Sequence, residues 1–169
     1  IRADFKRYTC NNPEWSISGG IFIAPSKKHP LRSAATEAGE SLENSKHHDE
    51  SGKVKDSITV LNTTCFWDEY VEGVEKLASR MEEELSEGAR RAFLRKLYAV
   101  FSTYERYAKK MHDERYDDRY GRWGWLLSYI LAKEPWLKER SKRDNFEQQI
   151  GENIRFLGLT TRLVELRTR

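Results

Sequence analysis

Two small residues and one lysine are the residues of this chain best suited to bind a phosphorylated ligand. Ser18 and Gly19 open a short apolar stretch, and small residues let a phosphate or a base approach the backbone. Lys46 ends a patterned segment, and its flexible ammonium group suits a phosphate contact. Each has an ordinary alternative: Ser18 and Gly19 serve strand packing, and Lys46 is a cation at a helix C-terminus. Both alternatives stay open in the sequence.

The elements that position these residues follow from residue types. Residues 17–24 are short, β-branched and apolar, with two glycines, which predicts a buried strand with a close backbone approach. Residues 31–46 place small apolar side chains on one face, which predicts a helix lying close on a sheet. Residues 47–53 form a polar loop and residues 57–61 a second strand. The result is a βαβ-type unit, with a right-handed crossover if the strands are parallel.

The second half of the chain has helical periodicity and almost no strand signal after Trp67. Four helices are expected, at residues 67–87, 93–111 and 123–133, and from the capping box at Asp144 onward. Short links between amphipathic helices predict an antiparallel bundle. The fold class is therefore α+β: the back half of a palm-like βαβ unit in residues 1–65, then a bundle of about four helices in residues 66–169.

Charge is distributed unevenly over the helical half. Residues 67–87 carry eight acidic and two basic residues, a balance of −6, and residues 88–110 carry seven basic and one acidic, a balance of +6. One interpretation is that the two helices lie antiparallel and neutralise each other. The other is a surface that faces nucleic-acid phosphates. The candidate RNA-backbone ligands are then Arg90, Arg91, Arg95 and Lys96.

Composition excludes several classes of protein. The chain has 169 residues, of which 38% are hydrophobic and 34% are charged, and no apolar run approaches the roughly 20 residues of a membrane span. No signal peptide is visible, so a cytoplasmic location without a membrane partner is expected. Cys10 and Cys65 stand 55 positions apart, which predicts reduced thiols and no zinc or other metal site.

The five tryptophans are a further group with chemical potential, since indole rings stack on bases. Their positions at helix starts and on apolar faces favour core packing instead. The five are Trp15, Trp67, Trp123, Trp125 and Trp136.

Several short stretches resemble one known family when they are taken in order. In the first half they are Phe5-x-x-Tyr8-Thr9-Cys10-Asn11-Asn12-Pro13, Ile17-Ser18-Gly19-Gly20-Ile21, Ala34-Ala35-x-x-Ala38-Gly39-x-x-Leu42-Glu43-x-Ser45-Lys46 and Lys55-Asp56-Ser57-Ile58-Thr59. In the second half they are Phe66-Trp67-Asp68-Glu69-Tyr70, Ala92-Phe93-Leu94-x-Lys96-Leu97, Trp123-x-x-x-Leu127-x-Tyr129-x-Leu131-Ala132 and Leu163-x-Glu165-x-x-Thr168-Arg169. Together they resemble the second palm domain and the C-terminal helical domain of the large subunit of type III CRISPR effector complexes, of the III-A kind.

The resemblance implies a function for the intact parent. Such a subunit joins ATP into cyclic oligoadenylate when target RNA is bound, using ATP with Mg²⁺ or Mn²⁺ held by a Gly-Gly-Asp-Asp hairpin, and its separate HD domain cuts single-stranded DNA. In GGDEF-like palms a lysine at this helix end reaches the triphosphate, which is the role implied for Lys46 beside Ser18 and Gly19. The implied partners are the small helical subunit, the guide-end-binding subunit, the guide RNA and the target RNA.

This chain departs from the family pattern in one respect. It contains no Gly-Gly-Asp-Asp sequence, and two-metal nucleotidyl transfer needs clustered carboxylates. We therefore expect a C-terminal piece that lacks the N-terminal half of its subunit, with no cofactor and no catalysis of its own. The His48-Asp49 dipeptide spells HD but is expected in a solvated turn. Two alternatives remain: a purely structural or RNA-binding scaffold without a nucleotide role, and a fragment of a GGDEF-type nucleotide cyclase.

Overall fold

The computed structural model describes residues 1–50, 53–86, 91–108 and 122–168. The chain divides into two compact units, Ile1–Val71 and Glu72–Arg169. The first contains a small mixed sheet, and the described part of the second is helical. The predicted α+β class is confirmed. The division into a palm and a C-terminal domain of a larger protein stays a prediction.

The first unit is built around a three-stranded sheet. Its elements are α1 (Arg2–Tyr8), β1 (Gly19–Ile21), α2 (Leu31–Lys46), β2 (Asp49–Glu50), β3 (Lys53–Val54), β4 (Ser57–Val60) and β5 (Thr63–Phe66). The sheet order is β1-β4-β5, with β1 parallel and β5 antiparallel to β4. The predicted strand, helix and parallel strand are thus present, and the helix occupies the predicted residues.

Strand β4 is the centre of this unit. All four of its residues are buried, and the hydroxyl groups of Thr59 and Thr64 share a 2.8 Å hydrogen bond between β4 and β5. Helix α2 packs on both β1 and β4. The unit therefore holds the start of β1 and the end of α2 in fixed positions relative to one central strand.

Three local predictions for this unit need correction. Strand β1 covers only residues 19–21, because the chain on either side makes no strand pairing. Strand β5 was not predicted at all. The segment 47–53 contains a strand of the small antiparallel β2-β3 pair, and His48 packs its ring on Phe66 with centroids 4.8 Å apart. The prediction of a wholly solvated turn at His48-Asp49 was therefore wrong.

The rest of the chain is helical where it is described. Its elements are α3 (Trp67–Glu69), a π-helical turn (Tyr70–Glu75), α4 (Lys76–Ser86), α5 (Arg91–Ala108), α6 (Arg122–Lys133), a 3-10 turn (Pro135–Leu137), α7 (Arg140–Glu152), a second 3-10 turn (Ile154–Phe156) and α8 (Leu157–Arg167). Helix α5 packs against α6 and α8, α4 against α8, and α6 against α7. The core includes Leu97, Leu131, Phe146 and Leu157, all fully buried. An antiparallel order of the helices stays a prediction.

The last predicted helix begins earlier and is interrupted. Helix α7 begins at Arg140, so Asp144 lies inside it and pairs with Arg140 at 3.5 Å rather than capping a helix. The break falls at Asn153, whose side-chain amide donates to the carbonyl of Gln149 at 2.9 Å. A Cβ atom on Gly73 would stand only 2.5 Å from the side-chain oxygen of Asn153, which is too close for any other residue unless that side chain shifts. The glycine in the π-helical turn thus makes room for this break.

The prediction that the tryptophans serve core packing holds for only some of them. Trp123 and Trp136 pack against the core of the second unit, and the indole of Trp67 is half-buried. Trp15 and Trp125 are instead 62% and 70% exposed. Helix α6 is apolar on most sides in sequence, which favours burial, yet Trp125 and Tyr129 on one of its faces are exposed. Within the described ranges, none of the helices has the length and apolar character that crossing a bilayer requires.

Candidate functional site

The glycine pair at the start of β1 lies between a helix and an indole ring. A Cβ atom on Gly20 would stand 2.3 Å from the backbone nitrogen of Leu42, so only glycine lets α2 lie this close. A Cβ atom on Gly19 would stand 3.3 Å from a ring carbon of Trp67. Successive residues of a strand face opposite sides of the sheet, and here each side is already filled. The packing of Gly19 supplies a structural reason for that glycine, and its role in nucleotide binding stays a prediction.

Trp67 holds the backbone on which Ser18 stands. Its indole nitrogen donates a 2.7 Å hydrogen bond to the carbonyl oxygen of Ile17, and its ring covers Gly19. The half-buried Ser18 lies between these two anchored residues. Sequence reasoning treated Trp67 as an ordinary packing residue. The 50 positions between donor and acceptor explain why no local pattern could show this bond.

Two buried serines fix the end of α2 to the start of β4. The side chains of Ser45 and Ser57 are fully buried; the hydroxyl of Ser57 donates to the carbonyl of Ser45, and the hydroxyl of Ser45 donates to that of Leu42 at 2.7 Å. Lys46 follows Ser45 directly. Because Gly19 pairs with Ile58 in the parallel register, Ser18 and Lys46 lie at the same end of the sheet.

The ammonium group of Lys46 is exposed and paired locally. It donates to Glu43 Oε1 at 2.8 Å, one helical turn earlier, and both side chains are about half exposed. This hydrogen bond and the charge of Lys46 hold the pKa of the Glu43 carboxyl below its ordinary value. An exposed pair at this spacing contributes little to stability. The lysine can therefore exchange Glu43 for a phosphate at small cost.

A cleft of about 480 Å³ lies in the same unit; its lining includes Ile17 and Asp56, next in sequence to Ser18 and Ser57, but none of the three predicted residues. Arg2 lines this cleft, and its side chain is 15% exposed. Its guanidinium group donates hydrogen bonds to Asp68 at 2.6 Å and to Asp56 at 2.7 Å. Burial lowers the pKa of Arg2, but the hydrogen bonds to Asp68 and Asp56 outweigh it and the net shift is upward. The two terminal nitrogens of Arg2 are paired with carboxylates, while its buried Nε has no hydrogen-bond partner among the described residues, and the two ion pairs tie α1 to the rest of this unit.

Two of the four predicted RNA-backbone residues form hydrogen bonds within the helical unit. Arg90 lies outside the described residues. Arg91 donates at 2.6 Å to the carbonyl of Thr168 just after α8, and Lys96 donates at 2.6 Å to Glu134 after α6. Arg95 is exposed and makes no hydrogen bond or ion pair with described residues. Of the four, Arg95 is the one whose guanidinium group faces solvent without such a partner in the described part of the chain.

Arg167 of the last helix pairs with two residues of the acidic segment, and mutual neutralisation of residues 67–87 and 88–110 stays a prediction. Arg167 of α8 donates to both carboxylate oxygens of Glu75, at 2.8 and 3.0 Å, and lies 3.4 Å from Glu82. These hydrogen bonds raise the pKa of Arg167 further above its ordinary value, against a smaller opposing effect of burial. Among the described residues, α8 thus supplies a cation to Glu75 and Glu82.

Cysteine and carboxylate chemistry is sparse in the described ranges. Cys10 is exposed, Cys65 is buried, and the two are not joined in a disulfide. Among these residues there is no group of three or more His, Cys, Asp or Glu side chains that could hold a metal ion. In this part of the chain the end of the sheet near Ser18 and Lys46 offers a hydroxyl and an ammonium group, and the nearby carboxylates, such as that of Asp56, belong to no group of three.

The comparisons with known proteins point in one direction. No family model matches the chain, and no solved structure matches it. One curated protein does: the CRISPR system single-strand-specific deoxyribonuclease Cas10/Csm1 (subtype III-A) of Methanocaldococcus jannaschii, with 39% identity over 80 residues. The match covers 43% of this chain and 10% of the relative, so the chain spans only about a tenth of that protein's length. Part of this chain is therefore related in sequence to a Cas10/Csm1 protein of a subtype III-A CRISPR system.

Proposed function

We propose that this chain is part of the large subunit of a type III CRISPR RNA-guided antiviral effector complex. The observation that carries the proposal is the 39% identity to a Cas10/Csm1 protein over 80 residues. The parallel β1-α2-β4 arrangement supports it, because it is the βαβ unit that the palm resemblance implies. In this proposal residues 1–65 are the back half of a palm domain and residues 66–169 are a C-terminal helical bundle.

The proposed chemical role is a partial ATP pocket. Ser18 and Gly19 border the nucleotide, and Lys46 contacts its phosphates. The support is geometric: the Ser57–Ser45 hydrogen bond fixes the end of α2 to β4, so Lys46 and Ser18 share one end of the sheet. The weak, exposed pairing of Lys46 with Glu43 leaves its ammonium group available. In the intact subunit the Gly-Gly-Asp-Asp hairpin, which this sequence does not contain, holds the metal ions.

The test is cyclic oligoadenylate synthesis by the full-length subunit in its complex with guide and target RNA. A Lys46→Ala variant removes a charge-assisted hydrogen bond, so synthesis is expected to fall about 10-fold or more. Lys28→Ala is the matched control, since Lys28 is an exposed lysine in the loop before α2, and it is expected to leave synthesis unchanged. Glu43→Gln removes only the local partner of Lys46 and is expected to preserve activity.

A purely structural role is the second candidate, and one observation favours it. The ring of Trp67 occupies the space beside Gly19. This packing explains a glycine at that position without any bound nucleotide. If complexes carrying Lys46→Ala or Ser18→Ala assemble normally and synthesise oligoadenylate at the wild-type rate, the palm residues of this chain are scaffold only. The sequence comparison gives no comparable support to a GGDEF-type cyclase.

The helical unit is proposed to dock small helical subunits and to contact guide and target RNA. Of the three predicted basic residues that the structure describes, Arg95 carries this role, because Arg91 and Lys96 are engaged within the unit. Arg95→Gln is expected to weaken RNA binding and to reduce the slope of log affinity against log salt by about one. Arg91→Gln is expected to change stability rather than that slope. Equal salt slopes for wild type and Arg95→Gln would remove the phosphate contact from Arg95.

A further inference from the structure

Helix α6 carries a column of exposed side chains on one face. Trp125 is 70% exposed and Tyr129 is 45% exposed, and their rings stack with centroids 5.5 Å apart and planes 15° from parallel. The ammonium group of Lys133 lies 4.2 Å from the centroid of the Tyr129 ring and donates to its hydroxyl. We call Trp125, Tyr129 and Lys133 the α6 column.

The core of the second unit does not explain this column. Helix α6 buries Leu127, Ile130 and Leu131 on its other side, and these residues attach the helix to the bundle. The column residues recur every four positions, so they line one face of the helix. Leaving an indole ring in water forgoes the gain that burial of its apolar surface would bring. The exposed rings therefore call for an occupant outside the described core.

Charge indicates which occupant fits. The 12 residues of α6 include Arg122 and Lys133 as bases and no acid. Sequence-tolerant binding of single-stranded nucleic acid combines aromatic rings, on which bases stack, with cations that neutralise phosphates. The stacked rings of Trp125 and Tyr129 provide the aromatic surface, and Lys133 provides a cation. An acidic helix of a partner protein would use the cations but would leave the indole face without a planar counterpart.

We propose that the α6 column is a stacking platform for an unpaired base of single-stranded nucleic acid. The outer face of Trp125 receives the base, Tyr129 supports the indole from behind, and the charges of Arg122 and Lys133 at the two ends of α6 attract the flanking phosphates. This deepens the proposed RNA contact of the helical unit and rests on it. Absence of any oligonucleotide binding would count against both, whereas unchanged binding by Trp125→Ala beside a reduced salt slope for Arg95→Gln would remove only the platform.

The experiment uses the full chain and short single-stranded oligonucleotides that contain one 2-aminopurine, a base whose fluorescence falls when it stacks. Binding to the wild-type chain is expected to quench this fluorescence. RNA and DNA versions of the same sequence identify the natural strand, because stacking itself does not distinguish them and the 2′-hydroxyl contacts do. A matched duplex is expected to bind more weakly and without quenching, since its bases already stack on one another.

The variants separate stacking from charge. Trp125→Ala is expected to weaken binding about 5- to 150-fold and to abolish quenching, whereas Trp125→Phe retains most of both. Lys133→Gln is expected to weaken binding while leaving the quenching at saturation intact. The matched controls are Trp15→Ala, an exposed tryptophan of the other unit, and Tyr98→Ala, which is 46% exposed on α5; both are expected to bind as the wild type does.

Three outcomes would overturn the proposal. The first is that the wild-type chain binds none of the oligonucleotides. The second is that Trp125→Ala binds and quenches like the wild type. The third is a wild-type dimer, seen by light scattering, that Trp125→Ala dissociates, because the column would then be an interface between two copies. Circular dichroism of each variant verifies that it is folded, and an exposed position makes misfolding by Trp125→Ala an unexpected result.

Discussion

The indole nitrogen of Trp67 donates a 2.7 Å hydrogen bond to the carbonyl oxygen of Ile17, and the same ring lies against Gly19. One side chain at the end of the sheet thus anchors the backbone on both sides of Ser18. Any ligand contact that Ser18 makes depends on this anchor. The relationship joins the first helical turn after β5 to the segment that leads into β1.

Replacing Trp67 by phenylalanine keeps a ring but removes this hydrogen bond. The half-buried carbonyl of Ile17 then lacks its donor, so the free energy of unfolding is expected to fall by about 1 kcal/mol. Urea denaturation followed by circular dichroism measures it. Trp15→Phe is the control, because that indole is 62% exposed, and a change within about 0.5 kcal/mol is expected. Equal effects of both substitutions would contradict an anchoring role for the Trp67 nitrogen.

Two glycines give a pair of substitutions with opposite expected signs. Gly20→Ala places a methyl group 2.3 Å from the backbone nitrogen of Leu42, and a backbone cannot move aside, so a loss of at least about 2 kcal/mol is expected. Gly39→Ala in α2 meets nothing within 4 Å and is expected to stabilise by about 0.5–1 kcal/mol. Thermal and urea denaturation of both variants provide the comparison. A neutral Gly20→Ala would show that α2 does not lie as close to β1 as described.

Arg167 is expected to be the most important ion-pairing residue of α8. Arg167→Met removes its contacts with Glu75 and Glu82, and since all three side chains are partly exposed the loss is at most about 1 kcal/mol. Arg162→Met removes a single, more exposed contact with Glu165 at 3.2 Å and is expected to change stability by less than about 0.5 kcal/mol. Urea denaturation at low and high salt measures both. Raising the salt concentration is expected to reduce the difference in unfolding free energy between the two variants. An unchanged difference would exclude an electrostatic cause.

The pairing of Glu43 with Lys46 predicts a pH dependence with a defined sign. The pKa of Glu43 is lowered in the folded chain relative to 4.5, so its favourable interaction is present above about pH 4.5 and is lost as the pH falls through the folded-state pKa. Carbon-detected NMR titration of the Glu43 carboxyl measures that pKa directly. In Lys46→Ala it is expected to return upward toward 4.5. An unchanged pKa in that variant would show that Lys46 does not pair with Glu43 in solution.

Local sequence patterns predicted the strand, helix and parallel strand of the first unit but missed the third strand of its sheet, β5. Helix α2 was predicted over the residues it occupies, because Pro30 precedes a regular face of small apolar residues. Strand β5 was missed because Leu61 and Asn62 form a two-residue turn with φ of 50° and 61°. Leucine is uncommon in that region of φ, so the sequence lacks the usual glycine signal of a hairpin.

Local sequence patterns could not predict which distant residues form ion pairs or which face of a helix is exposed to solvent. Arg2 finds its carboxylates 54 and 66 positions away, and no periodicity encodes that choice. The capping-box pattern at Asp144 competed with an earlier helix start after the Pro135 turn, and inside α7 the aspartate pairs with Arg140 instead. Trp125 looks like a core residue in sequence because α6 is apolar nearly all round. Only the arrangement of the neighbouring helices decides which of its faces stays in water.

Isolation of the native complex tests the central claim most directly. The full-length protein that contains this chain is affinity-tagged in its own host, and the copurifying proteins and RNA are identified by mass spectrometry and sequencing. The account predicts stoichiometric recovery of type III effector subunits together with guide RNAs transcribed from a CRISPR array. Recovery of the intact, folded protein without those subunits and without guide RNA would contradict its assignment to an effector complex.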